Sequence, residues 1–332
     1  MSHLISFWLL LGVPQTQPLQ RFAFEQPCMG TLARIVVYAP DSVKAKQASD
    51  VAFQRMQTLN RIMSDYQDDS ELMQLCHKPF GKAYAISNDL FFVIEKSQAV
   101  AEASNGVFDI TVGPLTKLWR RARRQHKPPS PHEIETAQKH VDFRSLQLHP
   151  DKQQLTLLKD GMLLDLGGIA KGYAADQAFK CLKDQQLPRA LVVLGGEVVA
   201  GDPPPGQTGW VIQIPSIPNQ LARKQPSILI ANRAVSTSGD QEQFLDWQGK
   251  RFSHIIDPRT GYGRIESPTV TVVAQSGMEA DAWATTFSLL SLDQTKQLLT
   301  VLPQVDVRHI SQQNQVPTEW HSEGWKRWTD VK

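Results

Sequence analysis

Between Asp165 and Tyr173 the chain reads DLGGIAKGY, and from Asp281 to Phe287 it reads DAWATTF. The first stretch is a strand end running through two glycines into a helix. Backbone N–H groups can approach a phosphate at such a turn because glycine has no Cβ, and the helix start adds its positive dipole end. The second stretch supplies hard oxygen donors. At about 100° per residue, Asp281, Thr285 and Ser288 share one helix face, while Trp283, Phe287 and Leu290 share the other. A carboxylate and a hydroxyl one turn apart suit a cation bound to phosphate, with the aromatic face buried. Each piece alone also has a plain structural reading, as a tight turn, a helix-start acid and a neutral helix position.

Further segments widen the pattern: CMGT at Cys28–Thr31, MSDY with DSEL at Met63–Leu72, and FDITVGPLTKLW at Phe108–Trp119. They continue with LGGE at Leu194–Glu197, AVSTSGDQEQF at Ala234–Phe244 and SHIIDPRTGYG at Ser253–Gly263. In this order and spacing they resemble the FAD:protein FMN transferase family, also called the ApbE or thiamine biosynthesis lipoprotein family. The resemblance covers nearly everything from about Phe24 to about Leu290.

The resemblance implies FAD as substrate and Mg²⁺ held by Asp281, Thr285 and the backbone carbonyls of Gly168 and Ala284. A carbonyl ligand is indifferent to a Cβ at position 168. It implies catalytic roles for Asp281 and His254, the latter a candidate general base because imidazole titrates nearest neutrality. Without the family, His254 reads as a strand-end core histidine. Met29 and Tyr66 match positions lining the FAD pocket, and Val107, Phe108, Asp109 and Ile256 match further contacts. Asp165 is expected to accept a nucleotide hydrogen bond, and Lys171 to lie near the phosphates or ribityl chain. Glu197 departs from the Asn or Asp usual after the Gly-Gly pair. Asp257, before Pro258, is expected to fix a turn.

The implied reaction moves FMN from FAD to a Ser or Thr hydroxyl of an acceptor protein and releases AMP. The implied acceptors are subunits of membrane redox complexes such as the sodium-pumping NADH:quinone oxidoreductase and Rnf. Two alternatives share the site: an FAD pyrophosphatase giving FMN and AMP, and a non-enzymatic FAD carrier.

With 332 residues, 41% hydrophobic and 20% charged, the chain can bury a substantial core. A net charge of +2 gives no global attraction to nucleic acid, and Arg120, Arg121, Arg123, Arg124 and Lys127 read as a solvated loop face. The three cysteines, Cys28, Cys76 and Cys181, lack metal-ligand spacing and read as structural thiols. Leu4–Val13 is an apolar run of about signal-peptide length, too short to span a bilayer, with no preceding Lys or Arg and no small-residue cleavage site. The expectation is a periplasmic or cell-envelope protein with a degenerate signal and possible peripheral membrane association; a cytoplasmic location is the alternative.

Helices are expected near Val43–Met63, with Val51, Ala52, Met56, Leu59 and Met63 on one face, near Asp89–Ala103 and from Ala170 to Asp184. Strands are expected at Thr31–Tyr38, Leu191–Ala200, Trp210–Ile214, Ile228–Val235, Phe252–Ile256 and Thr269–Ala274, with a hairpin of Gln154–Leu158 and Met162–Asp165 turned at Asp160–Gly161. Pro114 marks a turn. Many short strands with irregularly interspersed helices argue for an α+β fold. The family resemblance implies mixed, largely antiparallel sheets and an FAD cleft between two sub-domains. The expected organisation is an apolar segment over residues 1–23, the transferase domain over 24–310, and a tail over 311–332 whose Trp320, Trp325 and Trp328 pack onto the domain.

Overall fold

The strands Gln20–Cys28 and Thr31–Ala39 are joined by the two-residue turn Met29–Gly30, whose φ values of 48° and 73° are both positive. This turn suits the right-handed twist of a hairpin but holds a non-glycine residue, Met29, in the left-handed region. The hairpin opens an eight-stranded sheet whose strands lie side by side in chain order. It continues through Ala190–Leu194, Glu197–Ala200, Arg233–Ser238, Thr269–Ala274, Asp306–Gln313 and Val316–His321, with every pairing antiparallel. The computed structural model describes residues 18–217, 225–239, 244–265, 267–313 and 316–329. The apolar Leu4–Val13 run and part of the AVSTSGDQEQF segment lie outside the described residues.

Strand alternation sorts the core into two layers. Ala33, Ile35 and Val37 face a core shared with the helices Ser42–Met63, Ala170–Asp184 and Gly277–Leu289. Val36, Val235 and Val273 face the other way, onto the Trp210–Gln213 and Ser227–Ile230 hairpin and the buried Trp325. Asp41 caps Ser42–Met63 by accepting the Lys44 N–H at 2.8 Å. That helix buries Ala52, Met56, Leu59 and Met63, but Val51 is exposed and Phe53 takes its place in the core. The fold is α+β with antiparallel sheets.

A smaller core forms around the helix Gly113–Gln125, where Leu115, Trp119 and Ala122 pack with Ile134, Leu245 and Ile256. Trp119 Nε1 donates to the Gly261 carbonyl at 2.8 Å and ties this helix to the SHIIDPRTGYG turn. Asp257 fixes that turn as expected, accepting the Arg259 N–H at 2.9 Å.

Several local expectations need correction. Pro114 does not end an element; it occupies the first turn of Gly113–Gln125, where its missing N–H costs nothing. The arginines lie on that helix rather than a loop, and Arg120 is largely buried. Gln154–Leu157 pairs with Leu146–His149 and Ala83–Ala85, so it forms no hairpin with Met162–Asp165. The latter run instead follows Ile110–Val112, through a parallel bridge between Val112 and Leu163 and an Asp165 N–H to Ile110 carbonyl bond of 2.8 Å. Leu191–Ala200 and Ile228–Val235 each divide between two strands.

The three thiols are free, and Cys76 Sγ accepts the Leu164 N–H at 3.4 Å. No described helix is long and apolar enough to cross a membrane. At the C-terminus Trp325 is buried, and Trp328 Nε1 donates to Asp306 Oδ2 at 2.8 Å.

His309, between Val270 and Trp320 in the sheet, is 2% exposed, and neither ring nitrogen has a partner among the described residues. Burial, and then the Arg264 charge, push its pKa from 6.5 down to about 4. The unfolded chain therefore takes up this proton first as pH falls. The stabilisation is complete above about pH 6.5 and lost progressively towards pH 4, by up to about 3 kcal/mol. Urea unfolding of the native protein and of His309→Leu between pH 7.5 and 4.5 is expected to show a loss of stability on acidification that the variant lacks. Parallel curves would remove His309 from this role.

Candidate active site

The site begins with a glycine crossing. A Cβ on Gly172 would lie 2.1 Å from the Gly277 carbonyl oxygen, and one on Gly277 would lie 2.6 Å from the Gly172 carbonyl oxygen. Helices Ala170–Asp184 and Gly277–Leu289 therefore touch backbone to backbone. Asp176, one turn beyond the contact, caps the second helix by accepting the Gly277 N–H at 2.7 Å and the Met278 N–H at 2.9 Å. Burial pushes the Asp176 pKa up to about 6, against the pull of those two N–H groups.

The crossing brings the two motifs together. The Gly172 N–H donates to Asp281 Oδ2 at 2.9 Å instead of to the carbonyl four residues back, and no N–H among the described residues donates to the Gly168 carbonyl. A Cβ on Gly168 would lie 3.0 Å from Thr285 Oγ1. Gly168, Asp281 and Thr285 thus converge, with Ala284 fully buried between the last two. The start of Ala170–Asp184 has no side-chain cap, and the Gly168 and Lys171 N–H groups have no acceptor among the described residues. Such a helix start favours an anion. The Gly167 N–H is not part of it, because it turns back to Asp165 Oδ1 at 2.8 Å.

Asp281 is 2% exposed, and burial together with the Glu197 charge pushes its pKa up to about 7, against the pull of Lys171. Lys171 Nζ lies 3.0 Å from Glu197 Oε1 and 3.8 Å from Asp281 Oδ1. Burial pulls the lysine pKa down, but the two carboxylates outweigh it and hold the ammonium above its usual range. The donor set is one carboxylate, one hydroxyl and backbone carbonyls. Among the described residues no three His, Cys, Asp or Glu side chains cluster for a metal. This chemistry fits Mg²⁺, which binds oxygen and leaves positions to water and phosphate, and not a zinc-type nitrogen and sulfur site.

Helix Gly277–Leu289 differs in one respect from the two-faced expectation. Trp283 and Phe287 stack in the core with centroids 5.7 Å apart, but the polar side is buried as well. Ser288 is fully buried and its hydroxyl donates to the Thr285 carbonyl at 2.7 Å, so it is no part of the donor set.

A second group of charges supports the turn. Arg120 bonds Asp165 Oδ2 at 2.9 Å and also pairs with Asp65, while its guanidinium lies 4.1 Å from the Tyr66 ring centre. Burial, and then the Asp165 charge, raise the Asp65 pKa to about 7. Tyr66 is 72% exposed and is no core residue; its ring is backed by the guanidinium. The carboxylates of Asp165 and Asp109 also accept bonds from within the chain. Asp165 holds Gly167 and Arg120, and Asp109 accepts from the Thr111 N–H and hydroxyl and the Phe143 N–H. Val107, Phe108 and Ile256 are buried, and Phe108 Cε2 would lie 3.3 Å from a Cβ on Gly168. Met29 is half-buried at the sheet end that also carries Gly195 and Glu197.

His254 lies on Lys250–Ile256, the middle strand of a three-stranded sheet, where the pairing with Gly263–Ile265 is irregular between Phe252 and Ile256. Irregular pairing of this kind re-aims side chains beside active sites. His254 is half-buried, and its strand packs against helix Gly277–Leu289.

The sequence profile of the ApbE family matches residues 29–308. The chain belongs to the ApbE family. It is similar to the FAD:protein FMN transferase of Treponema pallidum, 31% identical over 299 residues that cover 85% of this chain and 82% of the relative. The FAD:protein FMN transferase of Salmonella typhimurium is 29% identical over 308 residues, 89% of this chain and 87% of the relative. Among ApbE structures, the flavin transferase ApbE of Vibrio cholerae matches with a TM-score of 0.85 at 27% identity, covering 94% of this chain and 100% of that one. The ApbE protein of Thermotoga maritima matches with a TM-score of 0.83, also at 27% identity, over 93% of this chain and 99% of that one.

Proposed function

We propose that this chain uses Mg²⁺ to transfer FMN from FAD to a Ser or Thr hydroxyl of an acceptor protein. The coarser activity, transfer of FMN from FAD to a protein, follows from membership of the ApbE family and from its FAD:protein FMN transferase relatives. The observation that carries the finer reading is the convergence of the Gly168 carbonyl, unpaired among the described residues, the Thr285 hydroxyl and the Asp281 carboxylate at a helix start without a side-chain cap among those residues.

Asp281, Thr285 and the carbonyls of Gly168 and Ala284 would hold the ion, which when bound neutralises charge on the FAD pyrophosphate. The N–H groups of Gly168 and Lys171 donate to phosphate oxygens. The exposed Tyr66 ring, backed by Arg120, offers a face to a flat heterocycle, and Met29 and Phe108 supply apolar edges. His254 takes the proton of the acceptor hydroxyl as its oxygen bonds to the FMN phosphorus. The bond from that phosphorus to the bridging oxygen breaks, and AMP leaves with that oxygen. Water in place of the hydroxyl would give FMN and AMP.

AMP release measured with and without an acceptor subunit of a membrane redox complex separates these outcomes. A bound, aligned hydroxyl can outcompete water through its high effective molarity. Release is expected to rise with acceptor, and replacing the acceptor Thr by Val is expected to abolish the rise; equal release in all cases indicates a pyrophosphatase. His254→Ala is expected to slow transfer by about 10²–10⁴-fold, the loss of a general base, with FAD affinity unchanged. Unchanged transfer would return His254 to a structural role.

A further inference from the structure

Glu197 opens its strand directly after the Gly195–Gly196 turn and is 3% exposed. Its Oε1 accepts from Lys171 Nζ at 3.0 Å, while Oε2 is buried with no partner among the described residues. Ser236, its antiparallel neighbour on the same face of the sheet, is fully buried, and its hydroxyl is likewise without a partner among the described residues. Asp281 completes the group, with Oδ1 3.8 Å from the same ammonium. Two buried carboxylates therefore share one lysine, and the lysine sits closer to Glu197. A carboxylate paired with an ammonium is a poor ligand for a divalent ion, because the ion must first displace the lysine.

We propose that Glu197 is a positioning residue for the cation site: it holds the Lys171 ammonium to itself and so leaves Asp281 Oδ1 free to ligate a divalent cation. The inference rests on the reading of Asp281 and Thr285 as cation ligands. A neutral side chain at 197 competes poorly for the ammonium, which then moves onto Asp281 and blocks it. Glu197, the last residue of the LGGE segment, gives this chain a carboxylate long enough to reach across from the sheet to the helix start.

The test is direct Mn²⁺ binding to the full chain without FAD, read by electron paramagnetic resonance of the free ion, with thermal unfolding as the check on folding. Glu197→Gln is expected to weaken Mn²⁺ binding by roughly tenfold or more, as for other outer-sphere partners of metal ligands. Adding Lys171→Met to Glu197→Gln is expected to restore binding, by a factor several times larger than Lys171→Met gives in the otherwise native chain. That non-additivity is the signature of one residue restraining the other. Unchanged affinity in Glu197→Gln overturns the inference, and so do equal factors for Lys171→Met in both backgrounds, since net charge alone would then account for the loss. Glu197→Leu replaces Glu197→Gln in the same cycle if the amide fails to fold. Native protein that binds no Mn²⁺, or Asp281→Asn that binds it with native affinity, overturns the cation reading itself.

Discussion

Asp281→Asn is expected to reduce FAD turnover by on the order of a thousandfold or more, the scale of losing several kcal/mol of charge stabilisation at phosphorus. The substitution keeps the shape of the side chain and one oxygen to accept the Gly172 N–H, now 2.9 Å from Oδ2. What it removes is the anionic oxygen, and with it the one carboxylate in the proposed ligand set. The fold has little to lose, because burial and the Glu197 charge already push this carboxyl towards its protonated form. AMP release at saturating FAD and the thermal midpoint, measured on the same preparation, are expected to part company. Near-native turnover would move the cation elsewhere.

Gly172→Ala is expected to destabilise the protein by about 3 kcal/mol or more, at the upper end of overpacking effects. The added Cβ would lie 2.1 Å from the Gly277 carbonyl oxygen and 2.8 Å from Asp281 Cβ. A backbone carbonyl inside a capped helix cannot rotate aside, so the two helices must separate, and the Gly172 bond to Asp281 separates with them. Gly168→Ala offers the contrast. Its Cβ would meet Thr285 Oγ1 and Cγ2, each at 3.0 Å, which are the ends of a side chain that can shift by a few tenths of an ångström. At position 168 an added Cβ therefore presses on the hydroxyl beside the carbonyl rather than on backbone. Urea unfolding is expected to show a large loss for Gly172→Ala and a small one for Gly168→Ala; comparable losses would contradict the crossing as the rigid element of the site.

The legible features were those carried by local pattern. The helix Ala170–Asp184 and the strand Thr269–Ala274 follow from periodicity and glycine placement, and the structure has them where they are expected. The Asp281 and Thr285 pair follows from helical spacing. The features that were not legible depend on contacts between residues far apart in the chain. Asp176 reaches 101 residues to cap Gly277, and Gly172 reaches 109 residues to Asp281. No local signal marks Gly172 as a crossing glycine rather than a helix-weakening one. Arg120 was hidden for a related reason. In a run of arginines each reads as solvated, and only the partners Asp65 and Asp165, 55 and 45 residues away, single out the one that turns inward. The internal bonds of Asp109 and Asp165, to the Phe143 and Gly167 N–H groups and to Arg120, are likewise contacts that a sequence does not display.

The most direct measurement is the mass of an acceptor subunit after incubation with the enzyme and FAD, in Mg²⁺, after chelation, and after Mg²⁺ is restored. An FMN adduct that survives denaturation, accompanied by AMP, is expected, absent after chelation and regained with the ion. An adduct that forms equally in the chelated sample would contradict the cation site at Gly168, Asp281 and Thr285.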